Sequence, residues 1–187
     1  MHIILIGYRG TGKSAVGKRL AERLKLPFCD TDERVEETAG RTIRELVAEN
    51  GWEYFRERER EVIRETAAME RSVIATGGGA VLDDRNAGIL KKHGILIWLM
   101  ADVGTIVQRI HGDGKSDKQR PAFSDNDIFQ ETTDVLTKRI PVYTRLADFS
   151  IDTADKKVNE IADSICQFLG EKKETVCQEI PSASFLK

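Results

Sequence analysis

The sequence predicts an α/β fold in which a five-stranded parallel sheet is covered by helices on both faces. Short apolar runs alternate with amphipathic stretches along most of the chain, which is typical of successive strand–helix–strand units. A glycine-rich segment joins the first apolar run to the first amphipathic stretch. The length of 187 residues suits one domain with a full-sized core, and the sequence contains no internal repeat.

The strands are predicted from short apolar runs that end at glycine or at polar residues. The first run, HIILI, is rich in β-branched residues and stops at Gly7, as a buried strand would. The five predicted strands cover residues 2–6, 26–30, 72–76, 95–100 and 148–152.

The helices are predicted from apolar residues that recur every three or four positions. Val16 and Leu20 belong to such a stripe in the first helix. Thr42 and Glu45 form a capping box that opens the second helix, and Gly51 interrupts that helix. The predicted helices cover residues 13–24, 42–49, 84–92, 103–111, 126–143 and 156–169, and a further charged helix runs from beyond Gly51 to about residue 70.

A single domain is predicted for residues 1–170, with two segments that show neither helical nor strand periodicity. Residues 112–124 are rich in glycine and charge, and they lie between two predicted helices. This length predicts a lid over an active site, although a plain surface connection is the alternative. Residues 171–187 are polar and aperiodic, which predicts a flexible tail.

Composition argues against several functional classes. The net charge of −2 offers no electrostatic footprint for nucleic acid or for an acidic membrane. The longest apolar run, ILIWLMA, is much shorter than a membrane span. The three cysteines have no CxxC spacing and indicate neither a disulfide framework nor a zinc site. We therefore expect a cytoplasmic protein without nucleic-acid or membrane partners. We also expect a monomer, although composition does not determine the oligomeric state.

The segment GYRGTGKS, residues 7–14, follows the first predicted strand and opens the first predicted helix. It matches the pattern G-x-x-x-x-G-K-[ST] in the structural context that this pattern requires. Its glycines let successive backbone N–H groups point into one concavity, and the helix N-terminus adds positive potential. Lys13 can reach the β- and γ-phosphates of ATP, and Ser14 can ligate Mg²⁺. The predicted ATP-binding residues in this loop are Gly10, Thr11, Gly12, Lys13, Ser14 and Ala15.

Two carboxylates stand one residue apart in DTD, residues 30–32, where the second predicted strand ends. Like charges so close together are unfavourable unless a cation or hydrogen-bond donors compensate them. In a parallel sheet this strand end faces the same crevice as the phosphate loop, so Asp30 is predicted to hold Mg²⁺. Asp102 is an alternative, although its position favours a helix N-cap. Asp32 is predicted to take a proton or a hydrogen bond from an acceptor hydroxyl.

Two further motifs carry candidate binding residues. In FRERE, residues 55–59, most charges are typical of a solvated helix, but Arg56 is predicted to point inward. The motif ATGGGAV follows a predicted strand, and its consecutive glycines favour close approach of a ligand over a bare turn. These glycines are Gly77, Gly78 and Gly79.

Two more arginines complete the candidate site. Arg120 lies in the predicted lid, from which it can reach a transferring phosphoryl group. Arg139 lies in KRIPVY, within a predicted helix. Arg56 and Arg139 together with Asp32 are complementary to a small acceptor that carries a carboxylate and hydroxyls, because arginine pairs bidentately with carboxylate.

The motif set as a whole resembles the shikimate kinase family. GYRGTGKS, DTD, FRERE, GGG, the RP of residues 120–121 and KRIPVY follow the order and spacing of that family, from residue 3 to about residue 169. The resemblance implies a P-loop kinase fold like that of nucleoside monophosphate kinases. It also implies ATP-dependent phosphorylation of the 3-hydroxyl of shikimate, which gives shikimate 3-phosphate and ADP in aromatic amino acid biosynthesis.

The resemblance also implies a role for each matched residue. Asp32 would bind the substrate hydroxyls, Arg56 and Arg139 its carboxylate, and the backbone of residues 77–79 would line its pocket. Arg120 would contact the phosphates from the lid. The residues expected at the reacting centre are, for catalysis, Lys13, Asp32 and Arg120 and, for Mg²⁺, Ser14 and Asp30.

Two other functions remain as alternatives. A kinase for a different hydroxy acid, such as gluconate, would share the phosphate loop, but FRERE and KRIPVY argue against it. A binding switch that uses ATP without transferring a phosphoryl group is the second alternative. The presence of Asp32, Arg56 and Arg139 argues against that function.

Overall fold

The computed structural model describes residues 1–112 and 128–178, with the backbone alone for residues 172–178. Five parallel strands form one sheet, which confirms the predicted fold class. In chain order the strands are β1 His2–Ile6, β2 Phe28–Asp30, β3 Val73–Ala75, β4 Gly94–Met100 and β5 Phe149–Asp152. Their order across the sheet is β2–β3–β1–β4–β5.

Seven helices are described, and a short 3₁₀ helix at Ala80–Leu82 follows β3. Across the described ranges, no helix combines the length and the apolar character needed to cross a membrane. The helices are α1 Lys13–Leu24, α2 Thr31–Ala39, α3 Ile43–Ala68, α4 Asp84–His93, α5 Val103–Gly112, α6 Ile128–Leu146 and α7 Val158–Gln178.

Helix α2 was not predicted from the sequence. Asp30 caps it by accepting a hydrogen bond from the backbone N–H of Asp32 at 3.0 Å. Gly40 ends it in the left-handed conformation, with φ of 64°. Both are ordinary helix signals, but the acids of its first turn had been interpreted as chemistry only.

Helix α7 continues to Gln178 instead of ending at residue 169, so the first part of the predicted tail is helical. The segment GEKKETVCQ contains no proline and consists mostly of residues with adequate helix propensity. Residues 179–187 of the tail lie outside the described residues, as does the predicted lid apart from Gly112. Arg120 is among the residues outside.

The sheet has a hydrophobic core on each face because successive side chains of β1 alternate between the two faces. Ile3 and Leu5 face α1 and α7, in a cluster with Val16, Leu20, Ile161 and Ile165. Ile4 and Ile6 face the other side and pack with residues of α3, α4 and α6, namely Ile63, Leu90 and Tyr143.

The strand order predicts a crevice at the carboxyl ends of β1 and β3. These strands are neighbours, but β1 leads to β2 through α1 on one face, and β3 leads to β4 through α4 on the other. The carboxyl ends of two parallel strands with such diverging connections are the usual place of a ligand site.

Helices α2 and α3 build a smaller cluster beside this crevice. Its buried residues are Val35, Ile43, Leu46, Phe55 and Val62. The capping box of Thr42 and Glu45 is present, and α3 changes direction at Gly51, where φ is 82° and ψ is 171°. Both features confirm the sequence interpretation of this helix.

Replacement of Gly94 by alanine tests how closely β4 packs on β1. A Cβ at Gly94 would collide with Cδ1 of Ile4 and would lie 2.8 Å from its Cγ1, and Ile4 is fully buried. We expect Gly94→Ala to lower the free energy of unfolding by about 1–3 kcal/mol because it overpacks the core.

The matched control is Gly88→Ala in α4, where nothing lies within 4 Å of the new Cβ. That variant should gain about 0.5–1 kcal/mol, since it only removes the conformational freedom of a helical glycine. Urea denaturation compares the two variants with the unsubstituted protein. A Gly94→Ala variant as stable as Gly88→Ala would contradict the packing argument.

Candidate active site

The loop between β1 and α1 has the backbone that phosphate binding requires. Gly7, Gly10 and Gly12 have φ of 137°, 76° and 88°, which side-chain-bearing residues rarely adopt. A Cβ at Gly7 would in addition collide with the carbonyl oxygen of Leu99 on β4. Helix α1 begins directly after this loop, so its N-terminus adds positive potential where a phosphate would bind.

The carbonyl oxygen of Tyr8 accepts two hydrogen bonds from residues of the phosphate-loop motif. It accepts from Lys13 Nζ at 2.7 Å and from Thr11 Oγ1 at 2.8 Å. Both donor residues are buried. The Lys13 ammonium is therefore held over the loop, within reach of a group bound in its concavity.

The two predicted metal residues are in contact. Ser14 Oγ donates to Asp30 Oδ2 at 2.6 Å, and Asp30 Oδ1 accepts from the backbone N–H of Asp32. Burial raises the pKa of Asp30 above its ordinary value, and the neighbouring Asp32 carboxylate raises that pKa further. The hydroxyl and the carboxylate are hard oxygen donors of the kind that Mg²⁺ prefers, so this pair fits a magnesium ion.

Asp102 serves as the cap of α5. Its Oδ1 accepts from the backbone N–H of Thr105 at 2.9 Å, and its carboxylate also accepts from the Thr105 hydroxyl. These hydrogen bonds lower the pKa of Asp102. The N-cap interpretation is confirmed, and Asp30 is the acid that contacts Ser14.

Asp32 lies beside Gly77, at the carboxyl end of β3. A Cβ at Gly77 would lie 2.6 Å from Asp32 Oδ1 and 2.9 Å from Glu59 Oε1, so only glycine leaves room for both carboxylates. The backbone N–H of Gly77 donates to Thr31 Oγ1 at 3.0 Å. All three residues of DTD therefore contribute to this site. Asp30 contacts Ser14, whereas Thr31 and Asp32 lie against Gly77.

The other two glycines of the turn also have close neighbours. A Cβ at Gly79 would lie 2.8 Å from a guanidinium nitrogen of Arg56. A Cβ at Gly78 would lie 3.3 Å from the backbone nitrogen of Arg9 and 3.4 Å from the carbonyl oxygen of Gly7. In the structure the close approach predicted for the GGG motif is made by protein groups, and these groups surround the crevice.

The two predicted acceptor arginines flank this turn. Arg56 donates to Glu59 at 2.6 Å, and its guanidinium lies 5.1 Å from the ring centroid of Phe55. Arg139 donates to the carbonyl oxygen of Gly78 at 3.0 Å, so it lies on the α6 side of the same turn. Tyr143, one turn further along α6, donates to that oxygen at 2.5 Å. The structure thus brings Asp32, Arg56, Arg139 and the phosphate loop to one crevice.

Three side chains at or beside this crevice were missed in the sequence analysis. Glu59 is buried and holds Arg56, although the spacing had suggested only helix-surface pairs in FRERE. Arg109 donates to the carbonyl oxygens of Gly10 and Thr153, and so ties α5 to the phosphate loop and to the end of β5. Arg9 is the third; it pairs with a buried acid on α6. Glu59, which ends FRERE, and Arg9, which lies in GYRGTGKS, each belong to a motif, whereas Arg109 belongs to none.

Comparison with known proteins gives the family. The shikimate kinase family model matches residues 9–170. The chain belongs to the shikimate kinase family. A shikimate kinase of Syntrophus aciditrophicus is 49% identical over 172 residues, which cover 88% of each chain. These findings confirm the resemblance that the sequence motifs indicated.

Structural comparison agrees with this family. A shikimate kinase from Acinetobacter baumannii, solved in complex with shikimate, superimposes with a TM-score of 0.86 at 34% identity. The match covers 92% of this chain and 94% of the other. A gluconokinase from Sinorhizobium meliloti has a TM-score of 0.61 at 17% identity and covers 96% and 97% of the two chains. The latter likeness shows only that the fold is shared.

Loss of the Arg56 guanidinium should destabilise the protein through Glu59. The Glu59 side chain is 1% exposed, and Arg56→Ala removes the guanidinium that donates to this buried carboxylate. We expect a loss of about 2 kcal/mol in the free energy of unfolding, measured by urea denaturation.

The double variant Arg56→Ala/Glu59→Gln is the control for this effect, because it removes the buried charge together with its partner. It should recover most of the lost stability. A single variant as stable as the unsubstituted protein, or a double variant less stable than the single one, would show that the pair does not compensate Glu59.

Proposed function

We propose that this chain transfers the γ-phosphoryl group of ATP to the 3-hydroxyl of shikimate, giving shikimate 3-phosphate and ADP. The observation that carries the proposal is the convergence of Asp32, Arg56 and Arg139 on the glycine turn beside the phosphate loop. A phosphate loop alone would suit many kinases. Two arginines and an aspartate beside it suit an acceptor with a carboxylate and hydroxyls. The relatives that bear the name shikimate kinase support this choice of acceptor.

At the acceptor end, Asp32 is proposed to orient the attacking hydroxyl. A carboxylate can accept the hydrogen bond of that hydroxyl and take its proton as the oxygen–phosphorus bond forms. Arg56 and Arg139 are proposed to bind the acceptor carboxylate from the two sides of the turn. Glu59 supports Arg56 from behind and limits the orientations open to its guanidinium. The backbone of residues 77–79 forms the floor of the pocket.

At the nucleotide end, residues of the phosphate loop are proposed to bind ATP. Lys13 now donates to the carbonyl oxygen of Tyr8, and it would exchange this acceptor for the β- and γ-phosphate oxygens. Arg120 lies outside the described residues, and its proposed contact with the phosphates rests on the family resemblance. The proposed ATP-binding residues are Gly10, Thr11, Gly12, Lys13, Ser14, Ala15 and Arg120.

Mg²⁺ is the proposed cofactor, held by Ser14 and Asp30. Among residues 1–112 and 128–171, no group of three or more histidine, cysteine or acidic side chains could hold a metal by itself. Mg²⁺ usually binds through one or two protein carboxylates and fills its remaining positions with phosphate and water. When bound, the cation neutralises negative charge on the β- and γ-phosphates.

The proposed setting is a monomer in the cytoplasm, with ATP and shikimate as its partners. The catalytic domain spans residues 1–170, and the segment 112–124 is proposed to act as its lid. The net charge of −2 supports a small-molecule enzyme over one that binds nucleic acid or acidic membranes.

A comparison of acceptors tests the proposed reaction. ADP release from ATP and Mg²⁺ is measured with shikimate, quinate, gluconate or no acceptor. We expect shikimate to raise ADP release far above the rate without acceptor, and phosphorus NMR should show a phosphate ester on the 3-hydroxyl. Activity with gluconate but not with shikimate would contradict the proposal, as would slow hydrolysis that no acceptor accelerates.

The raised pKa of Asp30 predicts how Mg²⁺ dependence changes with pH. Mg²⁺ binds the deprotonated carboxylate, so protons compete with the metal as the pH falls toward that pKa. We expect the half-saturating Mg²⁺ concentration to rise at lower pH. Asp30→Asn should require more Mg²⁺ at every pH and lose the part of the pH dependence that Asp30 causes.

The matched control is Asp32→Asn, which changes the neighbouring carboxylate in the same way. Its kcat should fall sharply because the amide cannot take a proton, while its Mg²⁺ dependence stays close to that of the unsubstituted protein. If Asp32→Asn instead raised the Mg²⁺ requirement and Asp30→Asn spared it, the roles of the two acids would be reversed.

A further inference from the structure

Arg9 stands where the phosphate loop meets the acceptor side of the crevice. Its backbone nitrogen lies 3.3 Å from the position that a Cβ would take at Gly78. Its guanidinium lies 5.7 Å from the ring centroid of Tyr8, and the guanidinium of Arg139 lies 5.4 Å from the same ring. Arg9 therefore shares its surroundings with a proposed ligand of the acceptor carboxylate.

Arg9 is held in place by a buried acid on α6. One terminal nitrogen of its guanidinium donates to Glu131 Oε1 at 3.4 Å, and the two side chains are 14% and 6% exposed. Arg56 is held in the same manner by Glu59. In both pairs a buried glutamate accepts from one terminal nitrogen of a guanidinium, a group that carries five N–H donors in all.

The Nε–H of Arg9 is buried and has no hydrogen-bond partner within the described part of the chain, although the Arg9 side chain keeps some exposure. A buried donor without an acceptor is unfavourable, so a ligand oxygen that accepts a hydrogen bond from it would contribute favourable binding free energy. The Glu131 carboxylate beside Arg9 disfavours a triphosphate as that ligand, because it would repel a polyanion much more than a singly charged acceptor.

We propose that Arg9 is a third acceptor-binding arginine, which donates from the phosphate-loop side to an oxygen of the bound hydroxy acid. Because Glu131 neutralises the charge of Arg9, the contribution of Arg9 to acceptor binding is a directed hydrogen bond and not an additional positive charge. It thereby contributes to the choice among oxygen-rich acceptors. This inference rests on the proposed acceptor pocket of Asp32, Arg56 and Arg139.

Four variants test the proposal: Arg9→Met, Arg9→Lys, Glu131→Gln and the double variant Arg9→Met/Glu131→Gln. Thermal unfolding, the Kd values of shikimate and ATP, and the kinetic constants are measured for each. We expect Arg9→Met to weaken shikimate binding by about ten-fold while ATP binding changes by less than about two-fold. The shikimate affinity of Arg9→Lys should lie between those of Arg9→Met and the unsubstituted protein, since lysine keeps the charge but loses the planar donor set.

The double variant separates binding from stability. Arg9→Met leaves the buried Glu131 without its cation and should lower the melting temperature, whereas the double variant removes both charges and should restore it. Shikimate affinity should stay weak in the double variant. Recovery of stability and shikimate affinity together would make the pair structural only and overturn the proposal.

Two further results would also overturn it: Arg9→Met with unchanged shikimate affinity, or with a loss of ATP affinity alone. Arg56→Ala, measured in parallel, distinguishes these results from failure of the proposed function. If Arg56→Ala loses shikimate affinity and Arg9→Met keeps it, the pocket is right and only Arg9 is wrongly assigned. If neither variant loses affinity, the acceptor pocket itself is wrongly placed.

Discussion

The turn of residues 77–79 can be approached from every side because it carries no side chains, and the arrangement of the site depends on that access. Asp32 and Glu59 occupy the space beside Gly77, and the Arg56 guanidinium occupies the space beside Gly79. The carbonyl oxygen of the middle glycine accepts from Arg139 and Tyr143 of α6. A side chain at any of these positions would displace a charged group or press on the phosphate loop.

The same turn connects elements that are distant in the chain. Thr31 at the start of α2 accepts a hydrogen bond from the backbone N–H of Gly77. The backbone of the phosphate loop lies against Gly78, the middle residue of the turn. Five parts of the chain therefore meet at this turn: the ends of β2 and β3, helices α3 and α6, and the phosphate loop. Their relative positions follow from the parallel sheet, which directs the carboxyl ends of its strands toward one edge.

Charge compensation is the second theme of the site. Asp30 is compensated by the Ser14 hydroxyl and a backbone N–H, yet its pKa remains raised because burial and Asp32 oppose its ionisation. Such a carboxylate is suited to a cation that arrives with the nucleotide. Glu59 and Glu131 are compensated by Arg56 and Arg9, so each acid also orients an arginine.

Local sequence determined the strands, most of the helices and the phosphate loop, because these depend on periodicity, on caps and on glycine backbone freedom. It also supplied the residue types that could bind ATP, Mg²⁺ and an anionic acceptor. The pattern G-x-x-x-x-G-K-[ST] and the capping box of Thr42 and Glu45 need only near neighbours in the chain. Helix α2 was missed although Asp30 and Gly40 mark its ends, since one aspartate serves both as cap and as site residue.

The tertiary structure alone decided which charges meet. Arg9 and Glu131 are 122 positions apart, and no local pattern connects a loop arginine to a helix glutamate that far along the chain. The sequence favours a ligand as the reason for the three glycines, and the structure adds that Asp32, Glu59, Arg56 and the phosphate loop crowd the places where a Cβ would stand. Contacts of this kind are set by the order of strands in the sheet and by the packing of helices on it. Periodicity and spacing in the sequence predict neither the strand order nor the helix packing.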